Sequence, residues 1–324
     1  MIARFLASGM LAACIFSSPG QALAADYPDH PIRLIVPTSP GSTADVVARV
    51  VAENLGRELG QPLVVENLSG AAGIPGTRQL VSARPDGYTL GIISSNHAIN
   101  PSLYKSMPYD SVRDITPISI IGTTPLVLVV AQDSPYRTIG DLVAAAKAQP
   151  DKINYGSSGT GSVLHLAGEL LKSKAGLDMM HIPYRGGTSL ITDVMSGQIQ
   201  TAFLAVPSVV GQIQSGHLRA LAVSTPARVP VLPDVPTLAE SGVDDYAYDA
   251  WIALIGPAGL PKDIALQLQK AARQTMRSQP VLKALGPQGF VSQGSDAAEA
   301  ARTLESEITL TETLVAGAGI TPTE

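Results

Sequence analysis

Cysteine is almost missing from this chain. The single one, Cys14, falls in an apolar stretch near the start, so no disulfide and no thiol nucleophile is available beyond it. Aromatics make up only 4% and charged residues only 15% of the 324 residues, so the core must be built from aliphatic side chains. His30, His97, His165, His181 and His217 show no paired spacing such as H-E-x-x-H, and no metal and no cofactor are expected. No G-x-S-x-G segment occurs, which removes the hydrolase nucleophile elbow and argues against an enzyme. The net charge of −5 argues against nucleic acid as a partner. The run from Ile118 to Val130 is broken by Gly122, Thr123, Thr124 and Pro125, too early for a bilayer span.

What is present begins with a targeting pattern. Arg4 supplies a positive start, Phe5 to Phe16 an apolar run, and Ala22-Leu23-Ala24 a small-residue cleavage site, so residues 1–24 read as a signal peptide. The alternative is a lipoprotein box, Leu11-Ala12-Ala13-Cys14, with Cys14 lipidated. Export without disulfides points to a bacterial periplasm.

The body of the chain repeats one unit: apolar strand, loop of small and hydroxyl residues without Lys, amphipathic helix. The first copy runs from Ile32 to Pro37, then Thr38, Ser39, Pro40, Gly41, Ser42 and Thr43, then a helix with Val47, Val50, Val51 and Leu55. The second runs from Ile153 to Tyr155, then Gly156, Ser157, Ser158, Gly159, Thr160, Gly161 and Ser162, then a helix from Val163. Small residues let the backbone turn sharply into a helix whose first N–H groups lack partners, and two such termini facing each other suit a carboxylate. Helix capping by Ser42 or Thr43 alone is the competing reading. The second loop lacks the Lys of a phosphate loop, and its glycines do not follow the dinucleotide spacing. Asp45 is expected to order its helix start or a water rather than touch an anion. A third wall is expected where the strand ending at Ile93 leads into Ser94, Ser95, Asn96 and His97, because ligands gather at strand carboxyl ends. Arg185 is a candidate carboxylate partner, with loop bracing as the alternative. Structural hydrogen bonds are the expected work of His97 and His165. Tyr246, Tyr248 and Trp251 are candidates for the cleft mouth, with a core position as the alternative for Trp251.

Strand and helix patterns alternate up to Val223, the mark of an α/β protein with largely parallel sheets. About 300 exported residues are enough for two lobes. The doubly buried run at Pro125 to Val130 marks a crossing between them, and the chain returns near Trp251. The expected division is residues 25–124 with 253–324 as one lobe and 125–252 as the other, with a hinged cleft between. Closing helices are expected from Lys262 to Met276 and Ala297 to Leu310, with a frayed tail from Ala316.

The chain resembles the substrate-binding receptors of tripartite tricarboxylate transporters, the Bug receptor family. The likeness covers the whole exported chain. It rests on Pro31 to Pro37, Pro40-Gly41 with Asp45, Gly70-Ala71-Ala72-Gly73, Pro85 to Leu90, Tyr155 to Ser162 with His165-Leu166, Pro183 to Gly187, Leu232 to Thr237 and Gly256 to Gly259, in that order. The resemblance implies a periplasmic binding protein of the Venus flytrap, type II-like fold, a monomer that closes on a small carboxylate. The ligand is then held between the two loops, with ordered water assisting. Its partner is a two-component membrane permease, or alternatively a membrane sensor kinase. Where family members often carry Asp in the strand after the Tyr-Arg-Gly-Gly helix, this chain reads Phe203-Leu204-Ala205-Val206, so an amino group loses its evident partner and Val206 takes a wall position. A non-amino dicarboxylate, aliphatic or aromatic, is the expected solute.

Overall fold

The computed structural model describes residues 27–150, 152–184 and 187–323. The expected signal peptide, Cys14 and Arg185 lie outside the described residues. The chain opens with β1 (Ile32–Val36), α1 (Thr43–Leu59), β2 (Leu63–Asn67), α2 (Ile74–Val81), β3 (Thr89–Ser94), α3 (Asn96–Leu103) and β4 (Ile115–Thr124). One residue, Pro125, then separates β4 from β5 (Leu126–Ala131), which belongs to a second sheet. There follow α4 (Ile139–Ala148), β6 (Asn154–Ser157), α5 (Val163–Ala175), β7 (Met180–Pro183), α6 (Gly187–Met195), β8 (Thr201–Ala205), α7 (Val206–Gln214) and β9 (Leu218–Val223). With β10 (Ala250–Pro257) the chain rejoins the first sheet and ends in α8 (Lys262–Arg277), α9 (Gln279–Leu285), β11 (Val291–Ser292) and α10 (Ala297–Gly317).

The strand orders are β11-β4-β10-β3-β1-β2 and β7-β6-β8-β5-β9. Both sheets are mixed, which corrects the expectation of largely parallel ones. Strands reached over a helix pair in parallel: β1 with β2 and β3, β6 with β7 and β8. Every antiparallel pair includes β4, β5 or β10, the strands that flank a passage between the sheets. Such strands enter a sheet without a covering helix to reverse them, so they run against their neighbours.

Each sheet is buried on both faces. On the first, Ile32, Leu34 and Val36 pack with Val47, Val51 and Leu55 of α1 and Leu268 of α8, while Ile35, Ile93, Ile120 and Trp251 meet Ala300 and Leu304 of α10. In the second, alternate residues of β5 go to opposite cores: Leu126, Leu128 and Val130 with Tyr155 and Leu166, Val127 and Val129 with Leu190 and Val209. Tyr246 and Tyr248 are buried in that core, the Tyr246 hydroxyl donating to the Ala167 carbonyl at 2.8 Å, so neither lies at a cleft mouth. The tail is tied down rather than frayed. Leu314 and Val315 join the second lobe's core, and Thr323 pairs with the α3 end through Thr323 N–H to Leu103 O (2.8 Å) and Lys105 N–H to Thr323 O (2.9 Å).

Candidate functional site

The two repeated loops fold alike. Ser42 caps α1 with φ −68° and ψ 160°, and its hydroxyl accepts the Asp45 N–H at 3.3 Å. Ser162 caps α5 with φ −68° and ψ 158°, and its hydroxyl accepts the His165 N–H at 3.3 Å. The preceding glycine has positive φ in both, 79° at Gly41 and 76° at Gly161, a conformation that L side chains resist. The third helical side chain then reaches back over that glycine. Asp45 Oδ2 accepts the Gly41 N–H at 2.8 Å, and His165 Nδ1 accepts the Gly161 N–H at 3.0 Å.

Asp45 is buried, and its carboxylate is fully engaged within the protein. Besides Gly41 it takes the Asn67 amide at 2.9 Å and the Arg49 guanidinium at 3.1 Å. Burial pushes its carboxyl up, but Arg49, the Gly41 N–H and Asn67 together hold it below the usual carboxylate range. Thr38 shares a 2.8 Å hydrogen bond with the Ser42 hydroxyl, while Ser39 and Pro40 are exposed at the loop tip. In the second loop Ser158 and Thr160 are exposed, but Ser157 points inward, its hydroxyl 2.7 Å from His181 Nε2 and accepting the Gly159 N–H at 3.1 Å.

Between the two helix starts lies a cavity of about 270 Å³. Thr43 and Ala44, the first residues of α1, line one side, and Val163 and Leu164, the first of α5, the other. The first two N–H groups of a helix have no carbonyl within it to accept them, so the cavity is lined by the positive ends of two helices. Thr38, Ser42, Ser94 and Thr124 add hydroxyls, and the Thr124 hydroxyl is buried without a partner. The remaining wall is apolar: Leu126, Ala205, Ala250, Trp251 and Ile252. None of the described residues lining the cavity is charged.

Thus Thr38, Ser42 and Thr43 stand on the wall, whereas the second loop presents the helix start after it rather than Ser157 to Ser162. The carboxyl end of β3 contributes Ser94; Asn96 lines a separate hollow of about 20 Å³ beside His97, room for one water. Val206 does not end a strand. It opens α7, is fully buried and donates its N–H to the Pro125 carbonyl at 2.9 Å, leaving Ala205 on the wall. Sequence reading passed over Ala44, Val163 and Leu164 because their side chains carry no chemistry; only their position at a helix start does. His97 sits buried with Nε2 2.8 Å from the Ser111 carbonyl, and burial pushes its ring below the ordinary histidine range. Among the described residues no group of three acidic, His or Cys side chains could hold a metal, and no helix is long and apolar enough to cross a membrane.

Residues 47–320 match the family described as tripartite tricarboxylate transporter family receptor. Protein BugT of Bordetella pertussis (strain Tohama I) is 37% identical over 265 residues, 81% of each chain. The structure of the periplasmic binding protein BugD superposes with a TM-score of 0.73 at 30% identity, covering 92% of this chain and 100% of that one. R. palustris Rpa4515 with adipate superposes with a TM-score of 0.77 at 31% identity, again covering 92% and 100%. The chain belongs to the tripartite tricarboxylate transporter receptor family, periplasmic solute-binding proteins of two-lobed α/β fold and not enzymes.

Proposed function

We propose that this receptor captures a small non-amino dicarboxylate, aliphatic or aromatic, between the starts of α1 and α5 and delivers it to a two-component membrane permease. One observation carries the reading: the first residues of two helices, where main-chain N–H groups lack intrahelical acceptors, line a single cavity with no charged side chain among its described lining residues. Charge-assisted hydrogen bonds contribute about 1.5–3 kcal/mol each and helix termini about 0.3–1 kcal/mol each, enough for micromolar affinity, which needs about 8 kcal/mol. The apolar remainder of the wall suits a hydrocarbon body, and Ala205 offers an ammonium group no partner. Adipate, found with Rpa4515, has these features: two carboxylates on an aliphatic chain. We place the six-stranded sheet, with β10 from Ala250, in one lobe and the five-stranded sheet, with Leu314 and Val315 of α10 packed on it, in the other, the two closing over the solute about Pro125 and the segment before β10.

Thermal unfolding of the exported chain against mono-, di- and tricarboxylates and amino acids tests this. A saturable rise in midpoint with dicarboxylates and none with their amino-substituted analogues is expected. Stabilisation by the amino acids alone overturns the solute class. No stabilisation by any carboxylate, before or after unfolding and refolding to strip bound solute, overturns the site.

A further inference from the structure

Behind the second loop, away from the cavity, two imidazoles lie face to face. The rings of His165 and His181 stack with centroids 3.7 Å apart and planes within 15° of parallel. Tyr155 packs against both, at 6.2 Å and 5.1 Å. His165 holds the loop directly, because its Nδ1 is the acceptor for the Gly161 N–H. That bond requires a neutral ring, since both nitrogens of an imidazolium are donors. The neutral tautomer then carries its proton on Nε2, which faces Glu169 Oε1 at 3.8 Å. His181 holds the other end of the loop through the Ser157 hydroxyl.

We propose that His165 is a positioning residue for the ligand-binding loop, effective only while its ring is uncharged, so that acidification loosens the second loop and leaves the first unchanged. The proposal rests on the reading of the α5 start as half of the carboxylate site. Gly161 immediately precedes Ser162, the cap that sets where the Val163 and Leu164 donors point. A proton on Nδ1 sets two donors against each other 3.0 Å apart, and the glycine must turn away.

The groups facing the pair come from two elements, β6 and α5. From β6 there is the Tyr155 phenol, bonded to Glu169. From α5 there are Glu169 itself and Lys172, whose ammonium is 2.9 Å from the Glu169 carboxylate. Glu169 favours a charged His165, but Tyr155 and Lys172 already occupy it. Burial pushes both rings below the ordinary histidine range, His181 to about 4, where the neighbouring His165 adds to the effect. A histidine lowered in this way keeps the loop's full stability above the ordinary histidine pKa and loses it as pH falls from there toward the lowered value. The first loop has no such response, because Asp45 stays ionised over that range.

The test uses His165→Asn, whose Oδ1 replaces Nδ1 as an acceptor that does not titrate. In ligand-free protein labelled with nitrogen-15, the His165 ring is expected as the Nε2–H tautomer at neutral pH. Its titration should be matched by movement of the Gly161 amide resonance, with Gly41 still, and His165→Asn should hold Gly161 still as well. Adipate affinity, followed by calorimetry from about pH 7.5 to about pH 5, should fall about fivefold further in the wild type than in the variant, which keeps the ligand's titration and every other titrating group of the protein. A proton on Nδ1 at neutral pH, a Gly161 resonance that moves equally in the variant, or parallel affinity curves would overturn the proposal. If adipate binds neither protein, the solute reading fails, and the ring and Gly161 resonances still decide the role of His165.

Discussion

The loops before α1 and α5 are built to one plan and braced in two ways. Both place a positive-φ glycine before a capping serine, and both fold the third helical side chain over the glycine N–H. In the first loop that side chain is Asp45, a charge locked by Arg49 and Asn67. In the second it is His165, a neutral ring stacked on another. The same backbone pocket can therefore be held by an ion network or by an uncharged one. The consequence lies in what each tolerates. Asp45 sets a negative charge near an anion site, which Arg49 on the same helix must neutralise, whereas His165 adds no charge there but depends on pH.

The largest effect that can break this pairing comes from a carboxylate placed at either helix start. Thr43→Asp and Val163→Asp should each weaken ligand binding by about 100-fold or more, because the new side chain takes the free N–H groups and repels the solute. Aspartate suits a helix start, so the melting temperature should hold or rise. Calorimetry that finds binding lost from only one of the two variants would leave a single helix start as the site.

Glycine substitutions sharpen the comparison at the turn itself. Gly41→Ala meets no atom within 4 Å and should cost only the positive-φ strain, about 1–2 kcal/mol. At Gly161 the added Cβ falls 2.4 Å from Leu103 Cδ1, so a further cost of about 1 kcal/mol or more is expected in denaturant unfolding. Equal costs would mean that Leu103 moves aside.

Asp45→Asn removes the charge while keeping the shape, and should destabilise by about 1–3 kcal/mol at neutral pH. Because the Asp45 pKa is held down, that difference should persist at and above the ordinary carboxylate range and vanish as pH falls through the lowered value. The smallest effect isolates a background. Burial pushes Asp249, beside the passage between the sheets, up to about 6, with Ser224 and Thr123 partly offsetting it, and pushes Glu307 up to about 7. A raised carboxyl costs stability as pH climbs through it, so Asp249→Asn should be more stable than the wild type by about 1–2 kcal/mol at about pH 8 and equal to it in acid. Without that correction, thermal melts mix the pH response of the crossing with that of the second loop.

Much of this architecture was legible because local chemistry and tertiary position agree. β1 is an apolar run that begins at Ile32 and stops before Pro37, and α5 begins at Val163, both where the sequence pattern places them. Where tertiary context decides, the pattern fails. β4 contains Pro117, Ser119 and Gly122 and is paired to β10 through two register shifts, so no clean alternation marks it as a strand. α7 follows β8 without a loop or a side-chain cap, and Val206 reads as strand when it is already helix. Likewise the serines and glycines announced two tight turns into helices. The donors themselves belong to Ala44, Val163 and Leu164, whose side chains are silent, and the stack of His165 on His181 joins residues brought together only by the β6–β7 pairing.

The most direct test of the central claim is an amide chemical-shift titration of nitrogen-15-labelled protein with the carboxylate that stabilises it most. If both helix starts hold the solute, the N–H resonances of Thr43, Ala44, Val163 and Leu164 move downfield together and saturate at one concentration. Saturation without movement of these four, with the shifts gathered elsewhere on the molecule, contradicts a carboxylate held between α1 and α5.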